Sequence, residues 1–412
     1  GKEYMLQVTV RGTQASVSLD GVALFTANIG SAYPKGRIGF RANNARIDIL
    51  DVRVEGDTSH QSPLLAVPQA ADEIPTRQEA GAYFPPGTDA SGGVSNIMMV
   101  YTGYYSSGQG VWSMVDALPY VAYGQREETA GAFPRVNYVD WFFDTFLFLG
   151  LQAPSGRAFD SALRAEPARM EDWQWYLDRL FEDGQQLDAF AQAVQLARQR
   201  VVDPDHKIKV LVMIPNPIAT QTDFGDVDGD GVSENFTLIG QTVAEATAAR
   251  LRAVRWYIDQ FERRLNERQY DEIEFIGYYW LEERIQYGAP QEVATLREVA
   301  DYVHGLGRKF FWFPYFQSDG YDRGYAVGFD VVIMQPNYMF DTSIAKSRLE
   351  AAAELARKHH LGIEIEADGT VLSSPAGRQR YLDYLRAGVE YGYMDDAVKS
   401  YYLVVDVLFQ AF

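Results

Sequence analysis

The chain has 412 residues, more than the ~100–200 of a typical domain, and since a barrel alone commonly takes ~250, the length accommodates a barrel plus a smaller module. Hydrophobic residues make up 47% of it, yet no apolar run approaches the ~18–20 residues of a spanning helix, so a globular chain without membrane insertion is expected. A formal charge of −19 repels phosphate backbones and anionic surfaces, which argues against nucleic acid and for a neutral ligand, while the absence of cysteine removes disulfides, thiol nucleophiles and thiolate metal sites.

The opening Gly1-Lys-Glu-Tyr lacks the apolar core of a signal peptide, so a processed chain or a piece of a longer protein is expected. From Tyr4 to Val54 short runs alternate apolar and polar residues, as in Met5-Leu-Gln-Val-Thr-Val-Arg and Ala15-Ser-Val-Ser-Leu, broken at Asp20-Gly21 and Pro34-Lys-Gly36. That pattern predicts antiparallel strands. Val17-Ser-Leu-Asp-Gly-Val, Tyr33-Pro-Lys-Gly-Arg-Ile-Gly-Phe and Asp48-Ile-Leu-Asp-Val-Arg-Val resemble the last strands of concanavalin-like jelly-roll modules, which are often attached to carbohydrate enzymes. Residues 1–56 are too few for a whole sandwich, so a partial sheet with an open edge or uncovered face is expected. Residues 57–94 lose periodicity and collect Pro63, Pro68, Pro75, Pro85 and Pro86, the composition of a surface linker.

From residue 95 to Phe412 eight apolar, β-branched or aromatic runs follow, at 96–101, 141–149, 208–214, 273–281, 309–315, 331–335, 361–366 and 389–394. Helical spacing separates most of them, for example Trp173, Leu177 and Leu180, then Leu251, Val254, Ile258 and Phe261, then Leu296, Val299, Ala300 and Val303. Strands alternating with helices pair in parallel and are covered on both faces, so the fold class is α/β, a (β/α)8 TIM barrel. An open doubly wound sheet is the rival, but no Gly-x-Gly-x-x-Gly turn follows the first run.

Barrel enzymes carry their chemistry at the C-terminal strand ends. The fourth run reads Ile276-Gly-Tyr-Tyr-Trp-Leu-Glu-Glu-Arg, which places Glu282 and Glu283 on opposite sides of the strand end. In the seventh, Gly362-Ile-Glu-Ile-Glu-Ala-Asp, period two puts Glu364, Glu366 and Asp368 on one face. Strands four and seven lie across the mouth, and glycoside hydrolysis needs two carboxyl groups flanking the bond, one to protonate the leaving oxygen and one to attack or activate water. The alternative for Glu282 and Glu283 is pairing with Arg284, and for Glu364 a structural place inside the barrel. Tyr101, Asn216, Tyr279, Trp280, Trp312, Tyr315, Gln335, Asn337 and Tyr338 also fall at or near strand ends, where amides can bond hydroxyls in both directions and aromatic faces can stack on a sugar ring. Core packing is the competing role for each aromatic.

Asp172-Trp-Gln-Trp-Tyr-Leu-Asp-Arg-Leu-Phe, Trp256-Tyr-Ile-Asp, Gly277-Tyr-Tyr-Trp-Leu-Glu-Glu, Trp312-Phe-Pro-Tyr, Gly328-Phe-Asp, Gln335-Pro-Asn-Tyr and Gly362-Ile-Glu-Ile-Glu, in this order, resemble the family called domain of unknown function 4855. The resemblance covers most of residues 95–400. It implies a secreted or cell-surface, bacterial barrel linked to polysaccharide use, and the acid of the family's Tyr-Trp-x-x-Glu motif falls on Glu283. The family's Glu-x-Glu falls on Glu364 and Glu366, but its usual Phe-Asp continuation is Ala367-Asp368 here. The expected enzyme is thus a glycoside hydrolase with Glu283 as acid/base, Glu366 as nucleophile or second carboxylate and Glu364 orienting Glu366. Retention is the preferred stereochemical outcome, and a non-catalytic carbohydrate-binding barrel is the alternative.

Asp226-Val-Asp228-Gly-Asp230-Gly231-Val-Ser-Glu234 has the oxygen spacing of a calcium loop at positions one, three, five and nine, with Thr237 where the bidentate Glu would stand. A structural Ca2+ held by Asp226, Asp228, Asp230 and Glu234 is expected, with no cofactor for catalysis. The five histidines show no His-Glu-x-x-His spacing, and neither a Gly-x-Ser-x-Gly elbow nor a phosphate loop is present.

Overall fold

The computed structural model describes residues 5–11, 14–28, 81–127, 135–201, 203–286, 290–405 and 407–411. Two compact units are formed, Gly1–Ile74 and Pro75–Phe412. In the first, β1 (Leu6–Arg11), β2 (Gln14–Leu19) and β3 (Val22–Asn28) make an antiparallel meander in register Leu6↔Leu19 and Leu19↔Val22. Asp20 and Gly21 turn β2 into β3 with φ of 52° and 80°, the left-handed pair that a two-residue hairpin requires. Met5, Val8, Val22 and Leu24 are exposed. The expected turn at Pro34-Lys-Gly36, the strand Asp48–Val54 and linker residues 57–80 lie outside the described residues.

The second unit runs β4 (Asn96–Tyr101), α1 (Met114–Val121), a hairpin of β5 (Ala122–Glu127) and β6 (Arg135–Trp141), β7 (Thr145–Leu149), α2 (Met170–Leu180), α3 (Gln186–Arg198), β8 (Ile208–Ile214), α4 (Val243–Arg268), β9 (Ile273–Trp280), α5 (Pro290–Gly305), β10 (Lys309–Trp312), β11 (Val331–Met334), α6 (Ser347–His359), β12 (Gly362–Glu366), α7 (Thr370–Ser373), α8 (Pro375–Tyr391), α9 (Tyr393–Asp396), β13 (Lys399–Tyr402) and α10 (Val407–Ala411). β4, β7, β8, β9, β10, β11, β12 and β13 close a barrel in chain order with parallel neighbours. The expected TIM barrel is present. β7 and β11 are buried throughout and β8 nearly so, which is why these strands read as apolar runs. Gly277 serves a close approach, since a Cβ there would meet the Lys309 carbonyl oxygen at 1.9 Å. Among the described residues no helix is long and apolar enough to cross a membrane.

Two expectations about the barrel's bounds are corrected. Residues 389–394 are not the eighth strand: they end α8, where Val389 is 78% exposed and Gly392 caps the helix at φ 82°, and begin α9. The strand is β13, disguised by Lys399 and Ser400, whose polar groups are buried; Lys399 Nζ donates to the carbonyls of Met394 (2.8 Å) and Ala397 (2.9 Å). Residues 81–94, expected as the end of a linker, are built into the barrel. Phe84 N–H bonds Leu361 O (3.1 Å), Phe84 O accepts from Val398 N (2.9 Å), and Tyr83, Phe84 and Val94 are buried. The expected run 141–149 divides at Asp144, whose carboxylate accepts from the backbone of Ser95 and Asn96 (2.9 Å each) and so ties the entries of β4 and β7.

Candidate active site at the barrel mouth

Beyond β9 the chain continues through Leu281, Glu282 and Glu283, and neighbouring loops give the two acids different work. Glu282 is buried and saturated: Ser161 donates through N–H (3.1 Å) and Oγ (2.7 Å), Asn216 Nδ2 donates at 2.8 Å, and Arg284 Nε lies at 3.4 Å. It therefore ties the loops after β7 and β8 to the end of β9. Glu283 is only half-buried and makes one side-chain bond, accepting from Gln335 Nε2 at 2.8 Å. Burial, reinforced by the charges of Asp160, Glu282 and Glu366, lifts its carboxyl to about 7 against the opposing Gln335 bond.

On β12, Glu364 and Glu366 share the face turned into the barrel. Glu364 accepts from Ser400 Oγ (2.7 Å), and burial followed by the Glu366 charge raises it well above the ordinary carboxyl range. Glu366 is 0% exposed and ringed by donors: Asn337 N at 2.9 Å, Tyr338 N at 3.2 Å and the Tyr384 hydroxyl. Burial lifts it to about 7 while these bonds pull the other way. A single loop thus grips both acids, Gln335 holding Glu283 and Asn337 with Tyr338 holding Glu366. Three residues span at most ~10 Å of chain, so the grip brings the acids to one region of the mouth.

Tyrosines line the space between them. Tyr101 meets Tyr402 edge-on (centroids 5.5 Å apart), Tyr402 meets the half-exposed Phe340 (5.3 Å), and burial with the nearby Glu283 and Glu364 charges keeps the Tyr279 phenol protonated. Tyr315 is partly exposed and its backbone bridges to Gln335.

Several expected sugar contacts are engaged otherwise. Trp280 and Trp312 have no exposed surface: Trp280 packs on Phe310, and Trp312 stacks on Phe329 (5.2 Å, 14°) and donates to the Glu282 carbonyl (2.8 Å). Both lie in the layer between strands and helices, because their inward neighbours on the pleat face the barrel. Tyr338 donates to Asp383 (3.1 Å) beneath the Arg380 guanidinium, 3.7 Å from its ring. Asp368 accepts from Thr370 N (2.8 Å) as it opens α7, and Asn216 holds Glu282 with its own Oδ1 buried and unbonded. Asp160, Tyr402 and Phe340 were not anticipated. Asp160 is 5% exposed, and burial with the Glu282 charge raises it to about 6. It follows Phe159 outside any strand or helix, where no periodicity marked it, and Tyr402 was missed with its strand.

On the loop between β8 and α4, Asp226, Asp228 and Asp230 offer oxygens within 4.8 Å of one another. Asp226 accepts from Gly229 N (2.7 Å) and Gly231 N (2.8 Å), and Asp230 from Val232 N (2.8 Å), which folds the turn. Glu234, the fourth expected ligand, is instead buried against Arg252 of α4 in a two-pronged pair (2.7 and 2.5 Å), so its charge is already neutralised.

A family model described as "Domain of unknown function (DUF4855)" matches residues 96–412. No curated protein matches the chain. Solved structures of similar architecture include an intracellular xylanase from Thermoanaerobacterium saccharolyticum (12% identity, 65% of this chain and 79% of that chain covered, TM-score 0.35). They also include an alpha-amylase from H. orenii (11%, 75% and 68%, 0.38) and a dihydropteroate synthase from Thermus thermophilus (9%, 77% and 91%, 0.33). The likenesses span unrelated chemistries, so none of them transfers an activity.

Proposed function

We propose that this chain, which belongs to the family described as domain of unknown function DUF4855, is a glycoside hydrolase acting on a polysaccharide or oligosaccharide through Glu283 and Glu366. The observation that carries the reading is the shared grip of the Gln335–Tyr338 loop on two carboxyl groups that burial raises to about 7. Near neutral pH such a pair can hold one proton and one charge, the state in which one acid protonates a leaving oxygen while the other acts as carboxylate. In the retaining form we favour, Glu283 gives its proton to the glycosidic oxygen as that bond breaks and Glu366 bonds the anomeric carbon. Glu283 then takes a proton from water as the water releases the sugar. Reducing-end release from plant and bacterial polysaccharides tests the activity, and the first-formed anomer seen by NMR tests retention; an inverted first product rules out the covalent step.

One observation favours a second reading. Glu366 has no exposed surface, and a nucleophile must touch the anomeric carbon. If Glu366 only braces the loop, the mouth binds sugar without cutting it, as in a non-catalytic carbohydrate-binding barrel. Binding without release of reducing ends is the outcome expected of that reading.

The raised carboxyls set two pH dependences. The rate should follow a bell with its optimum near the value of about 7 shared by the pair. Stability should respond as well, because the folded chain retains protons that the unfolded chain releases above the ordinary carboxyl value of 4.5. This contribution is full below that value and is lost as pH rises through about 7. Melting temperature should therefore fall from about pH 5 to about pH 8, and Glu283→Gln should flatten part of the fall.

We also propose that Asp226, Asp228 and Asp230 hold a Ca2+ that stiffens the loop, in a secreted or cell-surface setting where millimolar calcium would fill a weak site. Calcium should raise the melting temperature, and Asp228→Ala should abolish that rise. An unchanged melting curve in calcium and in chelator would remove the site.

A further inference from the structure

Beside the mouth, the loops after β7 and β8 line an open, polar cavity of about 430 Å3. Its lining joins the site already described at Ser161, which contributes to the cavity and also donates to Glu282, the residue before Glu283. The groups around it are of the kinds that bind hydroxyls. Ser161, Thr220 and Thr222 can donate or accept, Arg164 and Arg169 donate in a fixed fork, and Glu166 and Asp223 accept. Opposite charges on the lining balance, which suits an uncharged ligand rather than an ion.

The cations are held differently. Arg169 pairs with Asp223 (3.1 Å), which also accepts from Ser233 Oγ (2.6 Å), so its charge is already engaged at the surface. Arg164 has no side-chain hydrogen bond, ion pair or ring contact among the described residues. Its backbone sits at φ 52°, a conformation that costs a side-chain-bearing residue energy and that recurs at binding sites. Arg164 is thus an exposed donor fork, carried on that turn at the edge of the polar cavity.

We infer that this cavity is a subsite for a neutral, hydroxyl-rich sugar unit of the same chain whose bond lies at Glu283, with Arg164 as a binding residue; this rests on the reading of the mouth as a sugar site. Full-length protein is titrated calorimetrically with neutral xylo-, cello- and malto-oligosaccharides of two to six units. Affinity for at least one series should rise with length, and Arg164→Ala should weaken the hexasaccharide at least tenfold while changing the disaccharide less than twofold. Arg164→Lys should recover only part of the loss, since an ammonium lacks the planar fork. Equal hexasaccharide binding by wild type and Arg164→Ala, equal losses at every length, or no binding of any series by the wild type would each overturn the inference. Reducing-end release is followed separately on the same sugars. Length-dependent, Arg164-dependent binding without release leaves the subsite standing and sinks the hydrolase reading.

Discussion

Glu283→Gln should lower turnover by about 10³-fold or more and leave the fold intact, because a positioned general acid typically contributes ~10²–10⁴-fold. The amide keeps the shape of the carboxyl and can still accept from Gln335 Nε2, so the one hydrogen bond to this side chain survives. What disappears is the proton that burial and the neighbouring acids keep on Glu283 up to about pH 7. Melting temperature should stay within a few degrees of wild type, and reducing-end kinetics supply the comparison. Wild-type turnover by the Gln variant would remove Glu283 from the mechanism. Glu364→Gln is the matched control: burial and the Glu366 charge raise its carboxyl and favour the uncharged form, whose shape the amide keeps. Most of the activity should remain.

Glu366→Gln should lose as much activity and, unlike Glu283→Gln, should also lose stability. Both oxygens of Glu366 accept from donors fixed in place, the backbone of Asn337 and Tyr338 and the hydroxyl of Tyr384. A Gln side chain turns an N–H2 toward one of these donor sets, and an unsatisfied buried donor costs about 1–3 kcal/mol. Thermal unfolding should show that loss as a fall of several degrees. If activity is lost through chemistry, azide or formate should partly restore turnover to Glu366→Gly by standing in for the missing carboxylate. If it is lost because the Gln335–Tyr338 loop has slackened, small anions should do nothing. Asp160→Asn distinguishes the remaining arrangement. This buried acid is the first of the charges that raise Glu283, and a loss of activity there with Glu366 variants still active would move the second carboxylate to Asp160.

Much of this was legible in one dimension. Parallel strands covered on both sides must be apolar along their length, so the barrel's runs stood out, and period two put Glu364 and Glu366 on one face of β12. The same physics hid the rest. In a strand buried on both sides, hydrophobicity does not distinguish the face toward the barrel from the face toward the helices, so Trp280 and Trp312 looked like residues of the mouth. The eighth strand was misplaced because Lys399 and Ser400 interrupt its apolar run, and their burial is offset only by carbonyls and a carboxyl that the folded chain brings to them. The composition of residues 81–94 said linker, yet Leu361 and Val398 supply their hydrogen bonds.

The sequence by itself determined the fold class, the two strand ends bearing acids, and the aspartate spacing of the loop at 226–230, because each follows from local periodicity or spacing. The family's motif already pointed to Glu283; only the tertiary structure decided how each acid of a pair is held. Glu282 and Glu234 are consumed by Ser161, Asn216 and Arg252, whereas Glu283 makes one side-chain bond and stays partly exposed. The physical reason is that a carboxyl's partners and its desolvation come from loops far apart in sequence, and they meet only when the barrel closes.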